Sequence, residues 1–378
     1  MQENPLIKLT GLGQAIWLDY IRRQMIASGE LQRYIDADGL RGVTSNPSIF
    51  DKAISGSPDY DDDIQALARE GKSLQEIYEA MTVADVQRAA DLFRPLHDHL
   101  SGADGFVSLE VNPHLAHDTH GTIVEARRLW AKLDRPNVFI KVPATLEGLP
   151  AIRQLISEGV NVNITLLFGL PRYREVAEAY LAGLEARAAR GFGLAVASVA
   201  SFFLSRIDVL LDPQLEKLAK SGSPMAKAAA LTGEVAIASA KVAYSIYHEI
   251  FGSRRFKALA AKGARVQRLL WASTSTKNPA YPDLKYVEPL IGPETINTLP
   301  VETLNAYRDH GQPAVTLPQG LEKAAAVLQR LPELGIDLNR VTQQLEDEGV
   351  EKFNQPYDNL MRTLEGKRRQ SALSGGNA

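Results

Sequence analysis

The segment Val138-Phe-Ile-Lys-Val-Pro-Ala-Thr145 decides how the rest of this sequence is interpreted. It is a short apolar and β-branched run that ends at Pro143, which is typical of a buried strand. A single lysine, Lys141, lies inside the run. Such a lysine pairs with a carboxylate, extends its amine to solvent, or loses its proton because burial disfavours the charged form. The third alternative would make Lys141 a nucleophile that forms a Schiff base.

The composition limits the possible functions. The 378 residues are 45% hydrophobic, the formal net charge is -3, and cysteine is absent. The apolar residues suffice for a large core, and the lack of a basic stretch argues against nucleic acid or an anionic membrane as partner. The absence of cysteine excludes disulfides and thiol catalysis, and it suits a reducing compartment. We therefore expect a cytoplasmic protein without a secretory leader or membrane span.

Strand-like segments alternate with helical patterns about eight times along the chain. This alternation is typical of a parallel sheet closed into a barrel. A doubly wound open sheet is the alternative, but no G-x-G-x-x-G motif follows the first strand. We predict an α/β fold, a single (β/α)8 TIM barrel with additional helices over residues 1–366, and a flexible tail over residues 367–378. The predicted strands are Ala15–Tyr20, Leu40–Pro47, Phe106–Pro113, Val138–Pro143, Val160–Leu167, Leu194–Ser201, Arg268–Thr274 and Lys285–Ile291, and the predicted helices include Ile21–Ile35 and Thr119–Leu133.

Polar residues recur where the predicted strands end, and in a barrel those ends form one face. Each has a structural explanation: Asp19 could cap a helix, Thr44 and Asn46 could form a turn, and Glu110 could simply pair with Lys141. Together they present one lysine, two acids and several neutral hydrogen-bonding groups, which indicates a site for a polyhydroxylated substrate. The residues at these ends are Asp19, Thr44, Asn46, Glu110, Lys141, Asn163, Thr165, Ser201 and Ser273.

A lysine and two carboxylates are sufficient for cleaving a carbon–carbon bond next to a ketone. A desolvated amine attacks the ketone, and the resulting iminium accepts the electron pair of the breaking bond. Proton transfers accompany formation of the carbinolamine, its dehydration and the cleavage. Glu110 and Asp19 could divide these transfers between them.

Three segments resemble the signature sequences of the transaldolase family. They are Gly42-Val-Thr-Ser-Asn-Pro-Ser48, Phe139-Ile-Lys-Val-Pro-Ala-Thr-Leu-Glu-Gly148 and Asn161-Val-Asn-Ile-Thr-Leu-Leu-Phe168. Ala272-Ser273 and Thr276-Lys-Asn-Pro-Ala-Tyr-Pro282 resemble the later part of the longer bacterial form. The resemblance runs in order from about residue 16 to residue 291 and extends to about residue 360. It implies a class I, Schiff-base-forming enzyme that uses no cofactor and no metal.

The resemblance also implies catalytic roles for individual residues. Lys141 matches the lysine that forms the Schiff base with the substrate. Asp19 matches the aspartate that transfers a proton during carbon–carbon cleavage. Glu110 matches the glutamate that acts as acid and base through a water, and Thr165 matches the threonine that helps to hold that water.

Substrate-binding roles follow in the same way, together with one departure from the family pattern. Arg206 matches the arginine that binds the substrate phosphate, although it could instead be a surface arginine paired with Asp208. Many transaldolases have a second arginine at the position of Ser275, and here Lys277 is the nearby cation that replaces it as a point charge. The residues matched to contacts with the dihydroxyacetone unit, or adjacent to them, are Thr44, Asn46, Asn163, Ser201 and Ser273.

Three other functions compete with this interpretation. His97, His99, His114, His117 and His120 could bind a metal for a metal-dependent aldolase. The related fructose-6-phosphate aldolases release dihydroxyacetone instead of transferring it. A barrel without activity could serve as a binding module, but such a scaffold has no need for a lysine, two acids and two asparagines together.

Glu110, and a phenylalanine at position 203 where the aldolase branch would have a tyrosine, favour transaldolase. The expected reaction transfers a dihydroxyacetone unit from sedoheptulose 7-phosphate or fructose 6-phosphate to glyceraldehyde 3-phosphate or erythrose 4-phosphate. This reaction belongs to the non-oxidative pentose phosphate pathway. The expected partners are phosphorylated sugars, and the expected oligomeric state is a monomer or a homodimer.

Overall fold

A computed structural model describes residues 4–220 and 225–374 of the chain. Its strands form a closed barrel in which each strand pairs in parallel with its neighbours in the sequence, and the last strand returns to the first. The predicted (β/α)8 TIM barrel is confirmed. The strands are β1 (Gln14–Leu18), β2 (Gly42–Val43), β3 (Phe106–Glu110), β4 (Val138–Pro143), β5 (Val162–Leu167), β6 (Ser198–Phe203), β7 (Arg268–Ala272) and β8 (Thr295–Leu299).

Helices surround the barrel and cover part of its mouth. Short 3-10 segments at Pro113–Leu115, Met225–Leu231, Glu288–Leu290 and Pro332–Leu334 supplement them. The α-helices are α1 (Pro5–Gly11), α2 (Arg23–Ala27), α3 (Glu30–Asp38), α4 (Pro47–Ser55), α5 (Asp61–Arg69), α6 (Leu74–His99), α7 (Thr119–Leu133), α8 (Gly148–Glu158), α9 (Leu170–Ala189), α10 (Ser205–Lys220), α11 (Val235–Phe251), α12 (Arg254–Ala260), α13 (Val301–His310), α14 (Leu321–Arg330) and α15 (Leu338–Ser374).

Aromatic side chains fill the part of the barrel interior that lies away from the mouth. The rings of Phe106 and Phe139 stack with centroids 4.4 Å apart, and Trp17 lies 6.0 Å from Phe139. Gly42 makes room for this layer, since a Cβ at this position would lie 2.6 Å from the Trp17 ring. Because strand side chains alternate between faces, Phe139 places Lys141 on the same inward face, two residues nearer the mouth.

The prediction of the eighth strand was wrong. Residues 285–291 form turns and a 3-10 helix at Glu288–Leu290, and the true strand is Thr295–Leu299. Pro289 lacks the backbone donor that a strand inside a closed barrel needs. The residues of β8 include two threonines and an asparagine among only five positions, so their hydrophobic pattern is weak.

Some other strands and helices begin or end at residues that differ from the prediction. The sixth strand begins at Ser198 instead of Leu194, so Ser201 lies within the strand. The predicted helix Ile21–Ile35 is two helices, α2 and α3, separated at Gly29, whose φ of 79° is left-handed. Thr119–Leu133 is a helix with the predicted bounds.

The C-terminal region is more helical than the sequence indicated. Helix α15 continues to Ser374, through most of the segment 367–378 for which we predicted a flexible tail. The last four residues lie outside the described part. Helix α15 packs on α4, α5 and α6, and it reaches the barrel mouth.

No helix within residues 4–220 and 225–374 combines the length and the apolar character needed to cross a membrane.

Candidate active site

Lys141 is buried at the mouth of the barrel, with 4% of its surface exposed. Strands β3 and β4 pair in register at Glu110 and Lys141, so their side chains meet. The Nζ atom of Lys141 lies 3.2 Å from Oε2 of Glu110, and it donates a 3.2 Å hydrogen bond to the backbone carbonyl of Ser45. The amine is therefore paired, and its partner is a carboxyl group within reach for proton transfer.

Glu110 is in an environment that disfavours its charge. Burial raises the pKa of Glu110 to about 7, although the ammonium of Lys141 acts in the opposite direction. Neither carboxyl oxygen of Glu110 accepts a hydrogen bond of normal geometry from the described residues. A carboxyl group with a pKa near neutrality can both donate and accept protons under physiological conditions.

Asp19 follows β1 and is half-buried at the same mouth. The hydroxyl of Thr44 donates a 2.8 Å hydrogen bond to Oδ1 of Asp19, and Thr44 also lies 2.7 Å from the hydroxyl of Thr298. Desolvation raises the pKa of Asp19, while Lys141 and the Thr44 hydrogen bond lower it. Thr44 thus orients the aspartate, a role that the prediction of a substrate contact did not include.

Asn163 and Ser201 satisfy one another deeper in the barrel. The Asn163 amide donates to Ser108 at 3.0 Å and accepts from the Ser201 hydroxyl at 2.7 Å. Asn163 keeps one amide N–H and one oxygen lone pair for a further contact. The hydroxyl of Thr165 is also buried, but it has no partner among the described residues, which leaves it free to bind a water or a substrate hydroxyl.

Asn46 has a structural role and also lies at the candidate site. It is the N-cap of α4, where its Oδ1 accepts a 3.0 Å hydrogen bond from the backbone of Ile49. It also lines the cavity in front of Lys141. The capped helix fixes its position at the mouth.

Arg206 and Lys277 place two positive charges at the rim. The Nε of Arg206 is buried and has no hydrogen-bond partner in the described chain, and burial lowers the pKa of its guanidinium. Lys277 donates to the hydroxyl of Ser275, and desolvation and Arg206 lower the pKa of its ammonium. The alternative pairing of Arg206 with Asp208 is wrong, since Asp208 is bonded elsewhere. Neither cation forms an ion pair with a carboxylate among the described residues, and two such cations are suited to an anionic group.

A cavity of about 160 Å³ joins these residues. Glu110, Asn163 and Thr165 do not line it. Its lining includes eight of the eleven predicted site residues, namely Asp19, Thr44, Asn46, Lys141, Ser201, Arg206, Ser273 and Lys277.

The backbone is strained at two points near this cavity. Leu166 and Ser273 have left-handed φ values of 56° and 55°, and the pairing of β5 with β6 shifts register between Ile164 and Leu167. Such strain and such bulges concentrate at functional sites, where they redirect side chains.

The comparisons with known proteins agree with this geometry. A family model described as transaldolase/fructose-6-phosphate aldolase matches residues 16–364. The chain belongs to this family. It is 48% identical to a transaldolase of Trichodesmium erythraeum over 97% of the chain and 98% of the relative. It is 50% identical to a transaldolase of Thiobacillus denitrificans over 93% and 96%, and 46% identical to transaldolase 2 of Streptomyces coelicolor over 98% and 99%.

Relatives of this similarity over their full length make the chain an enzyme of the transferase class, and they support transaldolase activity. They also support the resemblance on which the residue roles depend. The roles of the individual residues are proposals that rest on position and geometry.

The histidines do not form a common site. His97 is buried beneath the barrel and lies 2.8 Å from the carbonyl of Asp104. His114 pairs with Asp358, and His117 pairs with Glu147. No group of three or more histidine, cysteine or acidic side chains in the described ranges has the arrangement of a metal site.

Phe353 on α15 is a site residue that the sequence analysis missed. It is 5% exposed and lines the cavity, and the Nζ of Lys141 lies 5.5 Å from the centre of its ring. An aromatic face at this distance stabilises a cation and excludes water. Only its helical spacing was visible in the sequence, and that is equally typical of a core residue.

We expect Phe353→Ala to lower kcat/KM about tenfold in this family's reaction, because the variant loses a cation–π contact and admits water. Phe353→Leu should retain more activity, since leucine keeps most of the apolar cover. Steady-state kinetics measures both, with Phe192→Ala at an exposed phenylalanine as the matched control. Wild-type activity in Phe353→Ala would show that the ring has no part in the reaction.

Proposed function

We propose that this protein is a transaldolase that transfers a dihydroxyacetone unit between sugar phosphates through a Schiff base on Lys141. The donor is sedoheptulose 7-phosphate or fructose 6-phosphate, and the acceptor is glyceraldehyde 3-phosphate or erythrose 4-phosphate. The reaction belongs to the cytoplasmic, non-oxidative pentose phosphate pathway. The observation that carries the proposal is the buried pair of Lys141 and Glu110 beside Asp19, with Arg206 and Lys277 at the rim.

The first half of the reaction begins with proton transfer from Lys141 to Glu110. This transfer replaces two buried charges with a neutral amine and a neutral acid, which a water-poor site favours. The amine attacks the C2 carbonyl of the donor to form a carbinolamine. Glu110 then protonates the departing hydroxyl, directly or through a water held by Thr165, and loss of water gives the iminium.

Asp19 acts in the cleavage step. Its carboxylate removes the proton of the C4 hydroxyl as the C3–C4 bond breaks. The electron pair of that bond moves to the iminium and forms an enamine, and the aldose phosphate leaves. The hydrogen bond from Thr44 holds the carboxylate in position. The second half reverses these steps with the acceptor aldehyde.

The two rim cations account for the preference for phosphorylated sugars. Arg206 supplies a planar guanidinium and Lys277 supplies a point charge, both about the same cavity. Ser201, Asn46 and Ser273 are neutral and suit hydroxyl groups. Phe203 also lines the cavity and offers no hydroxyl for acid–base work, which favours transfer over the aldolase reaction.

Borohydride trapping tests the proposal. The protein is incubated with fructose 6-phosphate, reduced with sodium borohydride, digested and examined by mass spectrometry. We expect a three-carbon adduct on Lys141, and its absence in folded protein, or its presence on another lysine, would overturn the mechanism. Incubation without an acceptor separates the alternatives, because only an aldolase releases free dihydroxyacetone over many turnovers.

A further inference from the structure

We propose that two carboxylate–tyrosine pairs, Asp208 with Tyr286 and Asp212 with Tyr281, position the loop that carries Lys277 relative to Arg206. We call these four residues the carboxylate–tyrosine clamp. The inference rests on the proposed function, because it concerns how the site holds the phosphate of its substrates.

The clamp joins three elements through both oxygens of each carboxylate. Oδ2 of Asp208 accepts a 2.9 Å hydrogen bond from the hydroxyl of Tyr286, and Oδ2 of Asp212 accepts a 2.7 Å hydrogen bond from that of Tyr281. The Oδ1 atoms accept from the backbone N–H of Ala236 at 2.8 Å and of Gly233 at 2.7 Å, respectively. Helix α10 is thereby fixed both to the start of α11 and to the loop 273–286.

Helix α10 and the loop 273–286 also carry the two rim cations. Arg206 is the second residue of α10, two residues before Asp208. Lys277 lies in the loop 273–286, four residues before Tyr281. At the other end of the loop, the backbone of Ser205 donates a 3.2 Å hydrogen bond to the carbonyl of Ser273. The loop is thus attached to α10 on both sides of Lys277.

A lysine needs this support more than an arginine would. An arginine binds phosphate with a planar fork that sets its own geometry, whereas an ammonium on a flexible stem depends on its backbone for placement. Lys277 contacts only the neighbouring Ser275 among the hydrogen bonds of the described chain. The distance between the two cations is therefore set by the loop, and the clamp holds the loop.

The burial of the clamp argues for a demanding role. Asp208 is fully buried and Asp212 is 5% exposed, and burial disfavours their charges. The cation Lys285 acts on both carboxylates, and its Nζ lies 4.2 Å from the centre of the Tyr281 ring. Apolar side chains of similar volume could join the same helices without this cost. Directional hydrogen bonds fix the loop at a defined distance, which apolar packing does less specifically.

The test compares acceptors with and without a phosphate. In a ping-pong reaction, kcat/KM for the acceptor reports only the second half-reaction. We expect the double variant Tyr281→Phe/Tyr286→Phe to lower kcat/KM for glyceraldehyde 3-phosphate about tenfold, and to leave kcat/KM for D-glyceraldehyde within about twofold of wild type. Tyr244→Phe removes a similar hydroxyl bond, to the carbonyl of Pro293, and should change neither value.

Arg206→Gln separates failure of the clamp from failure of the proposed function. If both wild-type protein and Arg206→Gln have the same kcat/KM for glyceraldehyde 3-phosphate as for D-glyceraldehyde, the assignment of the phosphate site is wrong. If Arg206→Gln loses the preference for the phosphorylated acceptor and the tyrosine variants keep it, the clamp alone is overturned. Equal losses for both acceptors in the tyrosine variants would also overturn it, because they indicate a purely structural role.

Discussion

Replacing Lys141 with alanine should abolish turnover, with a fall in kcat of about 10⁵-fold or more, as for other enzymes that lose their nucleophile. The variant has no amine to form the Schiff base, so neither cleavage nor transfer has an electron sink. Borohydride treatment with fructose 6-phosphate should leave no three-carbon adduct. Activity assays with both acceptors and mass spectrometry measure these effects.

The fold should survive this substitution. Removing one partner of a buried ion pair is costly when the other remains charged. Here Glu110 can take up a proton, since its pKa is already raised to about 7. Lys141→Met keeps the volume of the side-chain stem and should be inactive with a thermal stability near that of wild type. Lys257→Ala, at an exposed lysine, is the control that should retain full activity. Turnover in a Lys141 variant would disprove the Schiff-base assignment.

The sequence predicted the barrel because its strands were short, apolar and separated by helices with clear boundaries. Lys141 and Glu110 could be placed together because both lay inside buried runs on adjacent parallel strands. The strand Thr295–Leu299 could not be found in the same way, since its outward and inward residues are both partly polar. Pro289 argues against a strand over residues 285–291, because proline cannot donate to the ladder of a closed barrel.

The contributions of distant segments were not predictable from local pattern. Phe353 is more than 200 residues from Lys141 in the sequence, and only the path of α15 brings the two together. Asp208 and Asp212 had the spacing of an ordinary exposed helix face, yet the packing of α11 and the loop 273–286 buries both. The roles of such residues depend on tertiary contacts, which residue type and spacing in the sequence do not reveal.

Glu110→Gln should lower kcat about 10²–10⁴-fold, since the amide cannot donate or accept the protons of carbinolamine formation and dehydration. The pH profile is the more specific test. In the proposed mechanism the carboxylate of Glu110 takes up the proton of the amine, and below its pKa of about 7 Glu110 is already protonated and cannot do so. The kcat/KM for the donor should therefore rise with pH through about 7 in the wild type.

The glutamine variant should lose that rise, because its side chain does not titrate. Asp19→Asn is the matched control: it removes the other carboxylate at the mouth and should lower kcat while keeping the rise near pH 7. If the rise persists in Glu110→Gln and disappears in Asp19→Asn, then Asp19 and not Glu110 controls the pH dependence. A profile unchanged in both variants would mean that neither carboxyl group governs the protonation of the amine.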